Sequence, residues 1–173
     1  MTRLDPQRTA LVVIDLMDRI VGLPLAPHSG QEVVAASSAL AAAFRKAGAP
    51  VFLVRVERPG VDEQPPGSDL VEGLAEDGDT VVVKRTVGAF HRTGLDELLR
   101  GQGIDTLVLC GVATNMGVES TARAAADHDY ELHFAEDAMA ALTAEEHSAA
   151  VAQDLPRFGK VATAAGLAAA LWN

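Results

Sequence analysis

Three places in this 173-residue sequence put reactive side chains where an apolar run breaks off. The first is Asp15, which closes the run Ala10–Leu16 (ALVVIDL). An ionised carboxylate at the end of a buried strand is costly unless it is paired or used. Asp15 is therefore either an acid satisfied by backbone donors or a functional group, and its place in the strand order described below favours function. Asp18, in the loop that follows, reads as solvated. The second is Lys84, at the end of TVVVK and before RTVGAF, where Gly88 supplies a bend and Phe90 an apolar anchor for a pocket. Strand-end lysines usually extend to solvent. Set against a buried Asp15, however, Lys84 supplies the counter-charge that the carboxylate needs, and receives its own.

The third is CGVATNMGVESTARAAA, Cys110 to Ala126. A strand runs into Gly111, turns through Val112, Ala113 and Thr114, and enters a helix near Asn115. The unpaired amides of a helix start make an oxyanion or carboxylate site, here built from Ala113, Thr114, Asn115 and Gly117. The Thr114 hydroxyl either caps this helix or touches ligand. Glu119 and Arg123, four apart, are expected to form an ordinary intrahelical ion pair. Cys110 is a possible nucleophile. Yet it ends the apolar run TLVLC, ahead of the turn, where cysteine behaves as a small core residue and gains nothing from a helix terminus. His91, after the GAF turn, and His28, after the first strand, are weaker candidates at the rim.

Positioning these groups requires a particular frame. Short β-branched runs at 10–16, 51–56, 80–84, 106–110, 131–135 and 161–163 alternate with helical patterns at 31–47, 95–100, 115–127, 143–154 and 167–172. In the helix over 31–47, Val34, Ser37, Leu40, Ala41 and Phe44 recur at spacings of three and four, and Gly48 stops it. Thr143 with Glu146 forms a capping box. The alternation predicts a three-layer α/β/α fold with a six-stranded parallel sheet joined by right-handed crossovers. With the Rossmann-like order 3-2-1-4-5-6, the first and fourth strands are neighbours, and ligands bind beyond their carboxyl ends. The residues after Ile14 and after Cys110 should then face one pocket. Glu57 to Asp79 is rich in Pro, Gly and acid, a loop with at most a short helix over 70–75, expected to shape the pocket mouth.

Composition narrows the function. Hydrophobic residues make up 49%, largely small aliphatic ones, enough for one domain spanning 1–173. A net charge of −10 disfavours nucleic acid as a partner. No apolar run approaches the roughly 20 residues of a membrane span, and MTRLDPQRTA is unlike a secretory signal, so a cytoplasmic location is expected. One cysteine excludes an internal disulfide, and the scattered histidines make no metal-binding spacing; no metal or cofactor is expected.

The blocks ALVVIDL, KRTVGAF before GLDELL, GIDTLVLCGVATNMGVESTARAA and AEDAMA, in order along nearly the whole chain, resemble the isochorismatase-like hydrolases, also called cysteine hydrolases. The resemblance implies a six-stranded parallel sheet between helices and a catalytic set of aspartate, lysine and cysteine. Asp15 and Lys84 match the first two. The family pattern of Gly, two residues, Thr, two residues, Cys, Val falls on Gly111, Thr114, Gly117 and Val118, so the nucleophile position carries Gly117. Met17 stands where glutamine is common. Thiolate amidase chemistry is closed at a glycine. True isochorismatases are similar in having glycine there: an aspartic acid protonates the vinyl ether of isochorismate, water adds, and pyruvate leaves without a covalent intermediate. Asn115 replaces the histidine usual in those enzymes, which aligns this chain with a branch bearing TNxGVESTAR.

The resemblance supplies no substrate and leaves as the leading expectation a non-covalent hydrolase acting on a small, carboxylated metabolite through Asp15 as general acid and Lys84 as its positioning and binding partner. It also implies a homo-oligomer, dimer or tetramer. Two alternatives stand beside it: a catalytically degenerate binding or scaffold protein, and a thiol hydrolase using Cys110.

Overall fold

The computed structural model describes residues 3–171. Its sheet has six parallel strands in the order β3-β2-β1-β4-β5-β6: β1 Thr9–Ile14, β2 Val51–Val56, β3 Thr80–Lys84, β4 Thr106–Val112, β5 Glu131–Ala140 and β6 Gly159–Ala162. Helices α1 (Asp18–Val21), α2 (Gly30–Lys46), α3 (Leu95–Gly101), α4 (Glu119–Asp127), α5 (Ala144–Ala149) and α6 (Ala164–Ala170) flank it in the three-layer arrangement. This is the predicted topology. No helix is long and apolar enough to cross a membrane among the described residues.

Every residue of β1 is buried, as its unbroken apolar run requires of a central strand covered on both faces. The edge strands β3 and β6 are only partly covered. Ser29 and Thr143 each close a reciprocal capping box with the glutamate three residues on, fixing the starts of α2 and α5.

Several boundaries differ from the sequence expectation, each for a local reason. The first strand stops at Ile14, because Asp15 adopts a left-handed backbone (φ 54°) and turns the chain out of the sheet. The residues after it include a short helix, α1, where a loop was expected. No helix forms over 70–75; Leu70 instead makes an antiparallel bridge with Met17. The fifth strand runs on to Ala140, with pairing to β4 that jumps between Leu109 and Gly111. Glu136 and Asp137 mask this extension in the sequence, and Asp137 accepts the Ala164 amide at 2.6 Å at the start of α6. The helix expected over 143–154 is α helical only to Ala149 and continues as a π-helical turn. The last helix ends at Ala170, and Trp172 lies outside the described residues.

One glycine sets the site. At Gly111, paired with Ile14, a Cβ would stand 2.1 Å from the Ile14 carbonyl oxygen, and φ is +111°. Only glycine lets β4 approach β1 this closely where the two strands deliver Asp15 and Val112.

Candidate active site

Asp15 and Lys84 meet. The Lys84 ammonium donates to Asp15 Oδ2 at 2.7 Å and to the Val87 carbonyl at 2.5 Å, and the lysine is 2% exposed. The strand end therefore turns inward rather than reaching solvent. Asp15 Oδ1 is buried and has no hydrogen-bond partner among the described residues. Burial pushes the Asp15 carboxyl above its ordinary range, while Lys84 and then Arg19 pull it back; the net shift is upward. Two nearby cations do not fully replace the water this carboxylate has lost.

After β4 the chain passes a cis Val112–Ala113 peptide and enters a π-helical turn, Thr114–Val118, that runs directly into α4. This turn presents Gly117 to the ion pair. A Cβ there would lie 3.0 Å from Ile14 Cγ2, 3.3 Å from Lys84 Nζ and 3.4 Å from Asp15 Oδ2. Asp15, Lys84 and Gly117 thus share one point in space, beyond the carboxyl ends of β1 and β4 as topology requires. They open into a cavity of about 490 Å³ whose inner wall includes Val112 and Ala113. Its sides are largely aliphatic, with Ile20, Leu25, Met116 and Leu142, and Glu57, Arg58 and Arg85 also line it.

Other residues singled out from sequence lie elsewhere. Phe90 is not a pocket anchor: its ring stacks on His128 at 5.2 Å and tilts against Tyr130. Thr114 neither caps the helix nor lines the cavity; its buried hydroxyl pairs with His147 Nδ1 at 2.8 Å. Asn115 lies outside the cavity lining. His91 lines an adjoining recess, and His28 meets the His147 ring edge to face. Glu119 and Arg123 form the expected intrahelical pair at 2.7 Å. Cys110 is fully buried in β4, and burial pushes its thiol up to about 12, which disfavours the thiolate. Cys110 is also absent from the lining of the cavity over Asp15, a placement that weighs against the thiol-hydrolase alternative.

Supporting residues that the sequence pattern did not mark are Arg19, Val87 and Thr121. The Thr121 hydroxyl donates to the Gly117 carbonyl at 2.6 Å and accepts from the Ala89 amide at 3.1 Å. It ties the turn carrying Gly117 to the turn that holds Val87 against Lys84. Met17 is buried, and its sulfur accepts the Val56 amide at 3.4 Å.

Residues 9–166 match the isochorismatase domain. The chain belongs to the isochorismatase family of hydrolases. The isochorismatase family protein YecD of Escherichia coli O157:H7 is 43% identical over 178 residues, covering 93% of this chain and 95% of that protein. An isochorismatase family protein of Burkholderia thailandensis has a similar structure, with TM-score 0.87, 39% identity, and 99% and 98% of the two chains covered. The N-carbamoylsarcosine amidase of Thermoplasma acidophilum is more distant, at TM-score 0.80 and 27% identity, with 91% and 96% covered. Within this isochorismatase fold, Gly117 leaves the Asp15–Lys84 pair without a neighbouring thiol.

Proposed function

We propose that this isochorismatase-family hydrolase cleaves a small carboxylated metabolite by acid catalysis without a covalent intermediate, on a vinyl ether or a closely related bond. The observation that carries this reading is the Asp15 carboxyl, buried, shifted towards its protonated form and opening into the cavity where Gly117 leaves room. A carboxyl that keeps its proton closer to neutral pH is the tuned acid such chemistry needs.

On a vinyl ether the step runs as follows. The π electrons of the double bond take the Asp15 proton onto the terminal carbon, forming a C–H bond and leaving an oxocarbenium carbon. Water adds there and surrenders a proton, which restores the Asp15 carboxyl. The resulting hemiketal breaks its C–O bond to release a ketone and an alcohol. Lys84 orients the carboxyl through the 2.7 Å contact and stabilises it while it is ionised. Arg58, Arg85 and the amides of the helix start offer positive potential for the substrate carboxylate.

Asp15→Asn tests the reading. Turnover of a vinyl-ether substrate should fall by about 10²–10⁴-fold, the usual contribution of a positioned acid, with circular dichroism unchanged. Full activity in this variant would remove Asp15 from the mechanism. Ligand binding without product, across vinyl ethers, amides and esters, would favour a binding protein instead.

A further inference from the structure

Next to the cavity over Asp15 lies a second recess of about 370 Å³, lined by Pro59, Val83, Arg85, Thr86, His91 and Arg92. Pro59, Arg85 and Thr86 belong to both spaces. No carboxylate lines the recess, although the chain as a whole carries a net charge of −10. Its ionisable groups are two guanidiniums and an imidazole. Arg85 shares the single carboxylate of Glu57 with Arg55, at 2.6 and 2.8 Å, so this cluster keeps an excess positive charge. Among the described residues, Arg92 and His91 have no hydrogen bond or ion pair. Thr86 spends its hydroxyl proton on the Gly88 carbonyl at 3.1 Å, leaving the cationic groups as the side-chain donors. Arg92 sits here on a left-handed backbone (φ 55°), a conformation uncommon outside glycine.

We propose that this recess is an anion subsite for the end of the substrate remote from the bond cleaved beside Asp15. The substrate is then a small dianion. One anionic group lies near Lys84 and the start of the helix; the other, a carboxylate or phosphate, lies among Arg85, His91 and Arg92. Arg85 stands between the two groups and offsets their mutual repulsion, its planar guanidinium having donors to spare beyond the contact with Glu57. The inference rests on the reading of the Asp15 cavity as the hydrolytic site, and its test reads binding rather than turnover.

Calorimetric titrations of succinate, glutarate and adipate, each against the monocarboxylate of the same length, and of inorganic phosphate, are the experiment. They are made on the wild type, Arg92→Gln, Arg92→Lys and Asp15→Asn, with thermal midpoints checking that each variant is folded. The best dicarboxylate should bind about tenfold more tightly than its monocarboxylate, the worth of one charge-assisted contact. Arg92→Gln should erase that margin and weaken phosphate to a similar degree, while monocarboxylate binding stays the same. Arg92→Lys should recover part of the margin, and Asp15→Asn should keep it. Dicarboxylates that gain nothing over monocarboxylates, or a margin that survives Arg92→Gln, would overturn the subsite. Phosphate binding that depends on Arg92 without any dicarboxylate margin would make it a site for a free anion and overturn the dianionic substrate. Loss of the acid mechanism has its own signature, full turnover in Asp15→Asn, and leaves these affinities untouched.

Discussion

At position 117 the difference between glycine and any other residue is a few atoms beside an ion pair. A Cβ there would touch Lys84 Nζ and Asp15 Oδ2 at ordinary to slightly tight distances, with Ile14 Cγ2 the closest contact. A cysteine therefore fits after a shift of a few tenths of an ångström. Its thiol would lie near the Lys84 ammonium and a helix start, both of which favour the thiolate. Gly117→Cys is expected to be alkylated rapidly by iodoacetamide, measured by intact mass, whereas the wild type, whose one thiol is the buried Cys110, resists modification under native conditions. Equal labelling of the two proteins would contradict this geometry. Asp15 and Lys84 were legible because each closes an apolar run, and Gly117 because the family spacing through Gly111 and Thr114 falls on it; the strand order then brought the three together. Phe90 was misplaced for the converse reason. An aromatic residue after a bend is apolar in any setting, and nothing local says that its partners are His128 and Tyr130.

The elements around the site are held by a few polar latches. Thr121, on α4, joins the Gly117 carbonyl to the Ala89 amide and so couples the turns after β4 and β3. Thr121→Val keeps the shape and removes both bonds in a fully buried place, so a loss of about 1–3 kcal/mol is expected. Urea unfolding measures it, and an unchanged midpoint would contradict the latch. The loop after β2 is pinned at its far end by Arg45 on α2, which binds Asp79 at 2.6 Å, Glu76 at 2.7 Å and the Leu74 carbonyl at 2.8 Å. Only its first residues, Glu57 to Pro59, reach the cavity. The sequence located this loop through its Pro, Gly and acidic content, but such composition says nothing of a clamp from a distant helix. The strands followed from β-branched runs, and their order from taking the alternating pattern as the doubly wound fold. The far half of β5 did not, because a bulge carrying Glu136 and Asp137 breaks the apolar pattern.

Across the whole molecule, buried titratable groups set how stability responds to pH. His133 and His147 are both buried, and burial lowers the pKa of each; His28 adds to the effect at His147. A lowered histidine pKa means that the native state binds its proton less readily than the unfolded chain. Stability from these groups is complete above the ordinary value of 6.5 and is lost as pH falls through the lowered one. Urea midpoints should drop as pH decreases below 6.5, with a shallower drop in the His133→Gln, His147→Gln double variant measured from its own starting value. An equally steep drop in that variant would assign the acid sensitivity to other groups. Asp15 acts in the opposite sense. Its raised pKa makes the native state hold a proton more tightly, and the associated stability fades as pH rises through the raised value.

That same proton is the centre of the account, and carbon-13 NMR of the aspartate side-chain carboxyls follows it without needing a substrate. A carboxyl resonance that disappears in Asp15→Asn is predicted to titrate above the ordinary 3.8 of aspartic acid. If it titrates at or below that value, Lys84 holds Asp15 as a plain ionised partner, and the acid role is contradicted.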